Sequence, residues 1–311
     1  MRVTVTGASG FVGGSVCRDL CAAGWTVRGV VRRRSLEGPS SWEIIRGDLR
    51  EHETVEAAVR SADIVVHAAG LAHLPPWRQI DRDFHAQNVE VTERVALTAA
   101  RCGARMVYIS SAAAASDRTP YGRSKREAEE RLRQLGQSDG LRWTVVRPAL
   151  LFGEHDPGNF LRLVIAVSRG RYLHVDGGRA RKSLSYVGTV GPVVAALARS
   201  DRAVGRLYYL ADPQPRTVRE ITTVISECLG LTPPRLSLAA PIARALGAFG
   251  SVVSSAGISF PLRLDMVETL VRDAIVDTRP LQEEMGVPLP ISFGEGVRKT
   301  VDWCRNARIV A

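Results

Sequence analysis

The sequence predicts an α/β protein in which a doubly wound parallel sheet is followed by a smaller C-terminal α/β domain. The chain opens with a short alternating strand at residues 2–6, which leads into a glycine-rich turn and a helical pattern. Apolar runs of strand length then alternate with helical patterns up to about residue 150. Such alternation is typical of a parallel sheet covered by helices on both faces.

The elements of the first domain can be placed in order. Strands are expected at residues 2–6, 26–31, 43–46, 64–67, 105–109 and 142–146. Helices are expected between them, at about residues 11–23, 51–60, 84–102 and 121–135. Each strand is therefore followed by a crossover rather than a tight hairpin, as a parallel sheet requires.

A change of composition near residue 150 predicts the domain boundary, because glycine, proline and short elements dominate beyond it. Residues 1–150 form the first domain and residues 151–311 mainly the second, with about 183–212 expected to return to the first. A helix at residues 219–229 is expected to begin with a capping box of Thr217 and Glu220. The apolar segment 236–262 contains Pro241 and many small residues, which favours a packed helix, with an interfacial or dimer role as the alternative, over a membrane span.

Composition bounds the class of protein. A chain of 311 residues with 45% hydrophobic content can bury a substantial core. Five cysteines without a CxxC pair predict reduced packing residues, and no metal site is predicted. The net charge of +10 reflects 39 arginines spread along the chain without an aromatic-interleaved patch, so we predict no nucleic-acid partner. The first strand starts at the first residue, which predicts a soluble cytoplasmic protein without a signal peptide.

The first turn has the glycine spacing of a phosphate-binding loop. Gly7 would allow a tight turn, Gly10 would let a pyrophosphate approach the backbone, and Gly13 would let the helix pack closely on the strand. The phosphates would then face free N–H groups at the start of the helix. The residues expected to bind a dinucleotide here are Gly7, Ser9, Gly10, Phe11, Val12 and Gly13. The alternative is an ordinary turn.

One of only three lysines follows a tyrosine by four residues, in Tyr121-Gly-Arg-Ser-Lys125. If Tyr121 opens a helix, this spacing puts the phenol and the ammonium on one face, where the cation can favour the phenolate. A tyrosine titrates near pH 10, so such a neighbour matters for acid/base chemistry at neutral pH. The alternative is an accidental pair on a solvated face.

Short motifs recur in one order along nearly the whole chain. They are Thr6–Gly13 (TGASGFVG), Gly47–Leu49, His67–Gly70, Asn88–Val89, Ser110–Ser111, Tyr121–Lys125, Arg147–Pro148, Tyr186–Val187 and the closing Gly294–Trp303. This ordered set resembles the extended short-chain dehydrogenase/reductases, the NAD-dependent epimerase/dehydratase family with its Rossmann-type domain. Within it, the chain looks most similar to bacterial nucleoside-diphosphate-sugar epimerases and 4-ketoreductases.

The resemblance implies a role for each matching residue. Tyr121 would be the general acid/base, Lys125 would lower its pKa and hold the nicotinamide ribose, and Ser111 would hydrogen-bond the reacting oxygen. Ser110 is the competing choice for that last role. The remaining cofactor contacts implied are Asp48 and Leu49 at the adenine, Ala68, Ala69 and Gly70 along the cleft, and Pro148 at the nicotinamide. Plain packing beneath the edge of the sheet is the alternative for these residues.

The second strand ends in arginine where an acidic residue would bind the ribose hydroxyls of NAD. Arg32 is the candidate for the 2′-phosphate of NADP, with Arg33 as a second choice, although arginine is common throughout this chain. NADP(H) is therefore expected to be favoured over NAD(H).

Ser111 is followed by four alanines, where dehydratases of the family place an Asp-Glu pair, so a 4,6-dehydratase is not expected. Only ten residues separate Ser111 from Tyr121, which shortens a loop that contributes to the substrate pocket in relatives. By the resemblance, Asn159 lies where the family binds a nucleotide diphosphate, and so does the basic stretch of Arg179, Arg181 and Lys182. Cations suit that group. A solvated basic loop is the alternative.

These features predict an oxidoreductase that transfers hydride at carbon 4 of a nucleotide-sugar, by 4-keto-sugar reduction or by 4-epimerisation. The alternative enzyme is an NADPH-dependent ketoreductase of a non-sugar hydrophobic ketone, resembling dihydroflavonol or hydroxysteroid reductases. A noncatalytic dinucleotide-binding protein is a third class, which the intact Ser111, Tyr121 and Lys125 argue against. By resemblance we also expect a homodimer, formed by the helices after Asn88 and from Tyr121.

Overall fold

The computed structural model describes residues 1–32, 42–72, 81–116, 118–255, 263–287, 289 and 291–310. The chain divides into two compact units. Unit 1 consists of Met1–Ala149, Val187–Ala211 and Asp277–Ile291. Unit 2 consists of Leu150–Tyr186, Asp212–Val276 and Ser292–Ala311.

Unit 1 is built on a seven-stranded parallel sheet, which confirms the predicted fold class. Its strands are β1 (Arg2–Thr6), β2 (Thr26–Val31), β3 (Glu43–Arg46), β4 (Ile64–His67), β5 (Arg105–Ile109), β6 (Trp143–Pro148) and β11 (Arg206–Leu210). They lie in the order β11-β6-β5-β4-β1-β2-β3. The order reverses between β1 and β4, so the C-terminal ends of these strands form the crevice where open α/β sheets bind ligands.

Helices of unit 1 pack in two groups. They are α1 (Phe11–Ala22), α2 (His52–Val59), α3 (Asp81–Phe84), α4 (Val91–Arg101), α5 (Pro120–Ser138) and α7 (Val190–Arg199). Helix α1 packs on α7, whereas α2, α4 and α5 share a buried apolar cluster with β4, β5 and β6. Right-handed crossovers on the two sides of β1 place α1 and the α2, α4 and α5 group on opposite faces of the sheet.

The helix predicted at residues 84–102 contains a π-helical turn. Helix α3 ends at Phe84, a π-helical turn spans His85–Glu90, and α4 begins only at Val91. A π-turn inserts one residue into the helical ladder, and such turns are frequent at functional sites. It carries Asn88, whose Oδ1 accepts the Leu71 N–H at 2.7 Å and whose Nδ2 donates to the Leu71 carbonyl at 3.0 Å. The predicted helix is therefore present, and apolar periodicity does not reveal the π-turn inside it.

Helix α5 starts one residue before Tyr121 because of local capping. Thr119 Oγ1 accepts the N–H of Gly122 at 3.0 Å, and Pro120 occupies the first helical position, where its missing N–H costs nothing. The helix runs to Ser138, three residues past the predicted end. Tyr121 and Lys125 therefore both lie in its first two turns, as the spacing predicted.

Unit 2 contains short strands and five of the helices described. The strands are β7 (Leu150–Phe152), β8 (His174–Val175), β9 (Arg181–Lys182), β10 (Leu184–Tyr186), β12 (Arg216–Thr217) and β13 (Ser237–Leu238). The helices are α6 (Asn159–Ser168), α8 (Val218–Leu229), α9 (Ala240–Ser255), α10 (Leu264–Val271) and α11 (Phe293–Asn306). The strands pair two by two, as β7 with β10, β9 with β12 and β8 with β13. The predicted capping box of Thr217 and Glu220 is confirmed at the start of α8.

The apolar segment of the second domain forms α9 and continues into residues 256–262, which lie outside the described residues. Helix α9 packs on α10, where Ala243 and Val267 form a small buried cluster with Val175. This agrees with the predicted packed helix. Among the helices described, none combines the length and the apolar content needed to cross a membrane.

Candidate active site

The glycine turn after β1 has no room for side chains. Gly7 has a left-handed φ of 69°, and a Cβ added there would lie 2.8 Å from the Cα of Ala69. A Cβ on Gly13 would lie 2.2 Å from the carbonyl oxygen of Gly7, a contact that real side chains do not make. The Gly10 N–H donates to that same oxygen at 2.8 Å. Gly7 and Gly13 thus allow the turn and α1 to pack closely, as expected.

The start of α1 can accept an anion. Its N-cap is Gly10, which offers no side-chain cap, and its first turn carries no acidic residue. Ser9, Phe11 and Val12 are partly exposed around this end of the helix. Free N–H groups and the helix dipole at such an end favour a phosphate group. The residues present therefore fit the pyrophosphate of a dinucleotide.

Charged residues meet beyond the ends of β2 and β3. Arg32 is exposed just after β2, and Arg33 lies outside the described residues. The pKa of Asp48 is lowered to about 2, chiefly by hydrogen bonds from the Arg50 side chain, and the charge of Arg32 adds to the effect. Arg50 reaches Asp48 in a bidentate contact, at 3.1 Å from Nε and 2.7 Å from Nη2. Leu49 packs on the core cluster of α2, α4 and α5.

The segment after β4 is tied to its neighbours by polar contacts. The Ala69 N–H donates to Thr6 Oγ1 at 3.2 Å, while Ala68 and Gly70 follow the same edge. A Cβ on Gly70 would lie 3.0 Å from Asn88 Oδ1 and 3.4 Å from Lys125 Nζ. The expected cleft residues are thus next to Lys125.

Asn88 was predicted only as part of a motif, and its role appears in the structure. Its Nδ2 donates to Ser124 Oγ at 2.9 Å and to the Leu71 carbonyl at 3.0 Å. It thereby joins the segment after β4 to α5. The signal that pointed to it was the position of Asn88-Val89 in the ordered motif series, because burial and π-helical geometry are not visible in the sequence.

His67 is held neutral beneath this edge. Thr92 donates its hydroxyl proton to the Asn88 carbonyl at 2.6 Å, so the contact of 3.1 Å between Thr92 Oγ1 and His67 Nε2 requires a proton on Nε2. Nδ1 then accepts from Thr6 Oγ1 at 2.7 Å. Burial, aided by the charge of Lys125, lowers the pKa of His67 to about 3. The imidazole is therefore a neutral structural link.

Tyr121 and Ser111 come together as predicted. Ser111 is near enough to the phenol for its hydroxyl to lower the pKa of Tyr121, whereas burial raises that pKa by more. Ser111 Oγ also accepts the Ala113 N–H at 3.2 Å. Ser110 instead donates its hydroxyl to the carboxylate of Glu129. The geometry therefore brings Ser111, and not its competitor Ser110, to the phenol.

Lys125 is buried one helical turn from Tyr121. Its Nζ donates to the Ile109 carbonyl at 3.0 Å and lies 4.7 Å from the centre of the Tyr108 ring. Burial lowers the pKa of Lys125 to about 8, and the charge of Glu129 opposes that change. Burial raises the net pKa of Tyr121, and a lowering of that pKa by Lys125 stays a prediction.

The other candidates differ in their surroundings. Pro148 is the buried last residue of β6. In unit 2, Asn159 is the exposed first residue of α6, and Arg181 is exposed on β9. Lys182 Nζ donates to the carbonyls of Thr269, at 2.6 Å, and Arg272, at the end of α10. The ammonium of Lys182 thus caps a helix in the structure described.

The described residues contain no group of three or more His, Cys, Asp or Glu side chains placed to hold a metal ion. The chemistry available at Ser111, Tyr121 and Lys125 is proton exchange with a hydroxyl or ketone next to a dinucleotide site.

The sequence model of the NAD dependent epimerase/dehydratase family matches residues 3–210. The chain belongs to this family. The match covers the glycine turn, the Ser111, Tyr121 and Lys125 group, and the return segment up to β11, so the resemblance drawn from the ordered motifs is confirmed.

Relatives within the family are named for diverse activities. The 4-hydroxy-2-methyl-3-oxo-4-farnesyl-3,4-dihydroquinoline-1-oxide ketoreductase of Stigmatella aurantiaca is 31% identical, with 74% of each chain covered. The N-acetyl-alpha-D-glucosaminyl-diphospho-ditrans,octacis-undecaprenol 4-epimerase of Escherichia coli O157:H7 is 22% identical, covering 97% of this chain and 95% of that one.

Solved structures share the fold. The structure of MoeE5 in complex with UDP-glucose and NAD has a TM-score of 0.78 and 22% identity, covering 99% of this chain and 100% of that one. At this identity the likeness establishes the α/β architecture of both units and leaves the ligands of this chain to be argued from its own residues.

Proposed function

We propose that the protein is a nicotinamide-dependent oxidoreductase that transfers hydride at carbon 4 of a nucleotide-linked hexose, by 4-keto-sugar reduction or by 4-epimerisation. The observation that supports it most strongly is that α5 places Tyr121 and the buried Lys125 one helical turn apart, with Ser111 near the phenol. These are the groups that a carbonyl or carbinol reaction needs for proton exchange.

Tyr121 is the proton donor and acceptor of this mechanism. In the reducing direction its Oη donates a proton to the carbonyl oxygen of the substrate, while Ser111 Oγ hydrogen-bonds the same oxygen and orients it. The bound cofactor supplies the hydride. Burial raises the pKa of Tyr121, so the phenol holds its proton at neutral pH, as a proton donor must.

The proposed cofactor site joins three parts of unit 1. The glycine turn would receive the pyrophosphate, Lys125 the nicotinamide ribose, and Arg32 the 2′-phosphate of NADP(H). The remaining contacts proposed are Asp48 and Leu49 at the adenine, Ala68 to Gly70 along the cleft, and Pro148 at the nicotinamide. NADP(H) over NAD(H) is supported by the exposed arginine directly after β2.

For the nucleotide-sugar, Asn159 and Arg181 carry the proposal. Both side chains are exposed, and Arg181 offers a guanidinium suited to a diphosphate. The Escherichia coli O157:H7 relative, named as a 4-epimerase of a sugar joined to a diphosphate, supports this class of ligand. Lys182 contributes less than expected, because two carbonyls at the end of α10 already accept from its ammonium.

A second candidate is the reduction of a hydrophobic non-sugar ketone. It is supported by the Stigmatella aurantiaca ketoreductase, which is named for a substrate that carries a farnesyl chain. The occupied ammonium of Lys182 also favours it, because a diphosphate site loses one of its three proposed residues. The same Tyr121 and Ser111 would serve both reactions.

The test compares NADPH oxidation with a dTDP- or UDP-linked 4-keto-hexose and with a bicyclic ketone such as decalone. We expect turnover of the nucleotide-sugar, and Arg181→Ala should raise its KM about tenfold or more while kcat changes little. Arg171→Ala, in an exposed arginine of the same unit, is the control. Turnover of decalone alone, or the same KM for a 4-keto sugar without its diphosphate, would overturn the nucleotide-sugar proposal.

A further inference from the structure

Three residues of α5, each four apart, bind three successive residues at the end of β5. Tyr121 lies near Ser111, Lys125 donates to the Ile109 carbonyl, and Glu129 accepts from Ser110. Residues four apart lie on one face of a helix, so this face of α5 is bound along the C-terminal end of β5. The first two of the three belong to the proposed active site, and Glu129 has no role in it so far.

Glu129 is a buried carboxylate in a fully paired cluster. It is 7% exposed and receives Arg147 Nε at 2.9 Å, a second contact from Arg147 Nη2, and the Ser110 hydroxyl. Arg147 Nη1 in turn donates to Tyr209 Oη at 2.8 Å. Burying a carboxylate is costly unless it is paired and hydrogen-bonded, so these contacts offset the cost of burying Glu129.

Lys125 faces few charges besides Glu129. The Tyr108 ring on β5 lies 4.7 Å from its ammonium, and Asn88 and the ammonium both border Gly70. Neutral His67 on β4 and Glu129, one turn along the same helix, interact with it electrostatically. Arg147, on β6, is the positive partner of Glu129. Among these groups Glu129 is the anion that offsets the loss of solvent around Lys125.

We propose that Glu129 is a positioning residue that keeps the Lys125 ammonium protonated and holds Ser110, and through it Ser111, at the end of β5. The proposal rests on the function proposed for Tyr121 and Lys125. It adds a carboxylate two helical turns behind the phenol, which touches neither substrate nor cofactor and acts through its two neighbours.

The first test reads the charge of Lys125 directly in the protein without cofactor. The chain has only three lysines, so ¹³Cε-lysine labelling gives three NMR signals, and Lys125→Met identifies the one in question. Lys182 and Lys299 serve as internal references. We expect Glu129→Gln to lower the titration midpoint of Lys125 by about one pH unit or more, a tenfold loss of proton affinity.

The matched control is Glu130→Gln, which removes a carboxylate from the next position of α5. Glu130 is half-exposed and pairs with Arg133 at 2.9 Å, so its replacement should leave the Lys125 midpoint unchanged. An unchanged midpoint in folded Glu129→Gln would overturn the proposal. If that variant does not fold, Glu129→Asp is the second variant, because it keeps the charge but moves it back by one methylene. It should still lower the titration midpoint of Lys125, and an unchanged midpoint would also overturn the proposal.

The second test addresses Ser110. Ser110→Ala removes the hydroxyl held by Glu129 without changing a charge, so kcat should fall about fivefold or more while the Lys125 midpoint stays in place. A wild-type kcat would overturn the positioning of Ser111 through Ser110. Since the NMR titration requires neither turnover nor cofactor, a wrong substrate assignment leaves the charge test intact, and the two failures are distinguishable.

Discussion

At the scale of single residues, burial determines which titratable groups around the phenol carry charge. His67, Lys125 and Tyr121 all have pKa values moved towards their neutral forms, in each case chiefly by loss of solvent. Tyr121 therefore keeps its proton at neutral pH in the protein without cofactor. Lys125 remains mostly protonated at neutral pH only because its lowered pKa of about 8 still lies above 7.

The pH dependence of stability should report His67. Its folded pKa of about 3 lies below the ordinary value of 6.5, so the unfolded chain binds the extra proton first. The stabilisation due to neutral His67 is present above pH 6.5 and is lost as pH falls towards 3, by up to about 1.4 kcal/mol per pH unit. We expect His67→Gln to flatten the fall of Tm on acidification, even if its Tm at pH 7 is lower. His52→Gln, in an exposed histidine, is the control, and an equal acid slope in all three proteins would contradict the prediction.

Arg32 should decide between the two dinucleotides. Replacing it by aspartate removes the cation proposed to meet the 2′-phosphate, so Arg32→Asp should weaken NADPH binding by about tenfold or more and NADH binding far less. Fluorescence titration of both cofactors measures the ratio. Arg2→Asp, in an exposed arginine at the opposite end of the sheet, gives the effect of charge reversal alone. Equal losses for NADPH and NADH in Arg32→Asp would refute the assignment.

At the scale of elements, Lys182 shows how a helix end can use a residue expected to bind substrate. Its ammonium accounts for two carbonyls at the end of α10, where a cation also interacts favourably with the helix dipole. Lys182→Met should therefore lower the free energy of unfolding by about 1–2 kcal/mol and leave the KM of a nucleotide-sugar within about twofold. Thermal unfolding and kinetics measure these effects, with exposed Lys299→Met as the control. A large rise in KM at unchanged stability would contradict this prediction and indicate that Lys182 binds the substrate.

The strands and the π-turn show what sequence patterns can predict. The bounds of β1 to β5 follow from apolar runs between glycine and charged turns, and the structure confirms them. The π-turn at His85–Glu90 could not be predicted, because one inserted residue hardly changes the apolar periodicity on either side. The cap of α5 by Thr119 moved its start by a single residue.

The candidate site also contains residues that the sequence could predict and residues whose roles it could not. The spacing of Tyr121 and Lys125 and the glycine series were visible because they are local in sequence. Glu129, Asn88 and His67 act through residues distant in sequence, such as Arg147 on β6 for Glu129, so their roles required coordinates. The net direction of the phenol pKa could not be predicted, because spacing indicates a neighbouring charge but not the extent of burial.

At the scale of the whole molecule, the homodimer expected from the family resemblance stays a prediction, as does a cytoplasmic location. The proposed interface consists of α4 and α5, which are adjacent in unit 1. Light scattering across a micromolar concentration series should give about twice the chain mass of 33.8 kDa. A chain that remains monomeric throughout that series would remove the dimer from the account.

The central claim is that Tyr121 exchanges the proton in a nicotinamide-dependent carbonyl reaction. The measurement that tests it most directly is NADPH oxidation with the nucleotide-linked 4-keto-hexose by wild type, Tyr121→Phe and a control, Tyr172→Phe, whose ring contacts His174 in unit 2. Removing a general acid should lower kcat by about 10²–10⁴-fold in Tyr121→Phe, with unchanged NADPH affinity and a wild-type rate in the control. A Tyr121→Phe variant that turns over at the wild-type rate would contradict the claim.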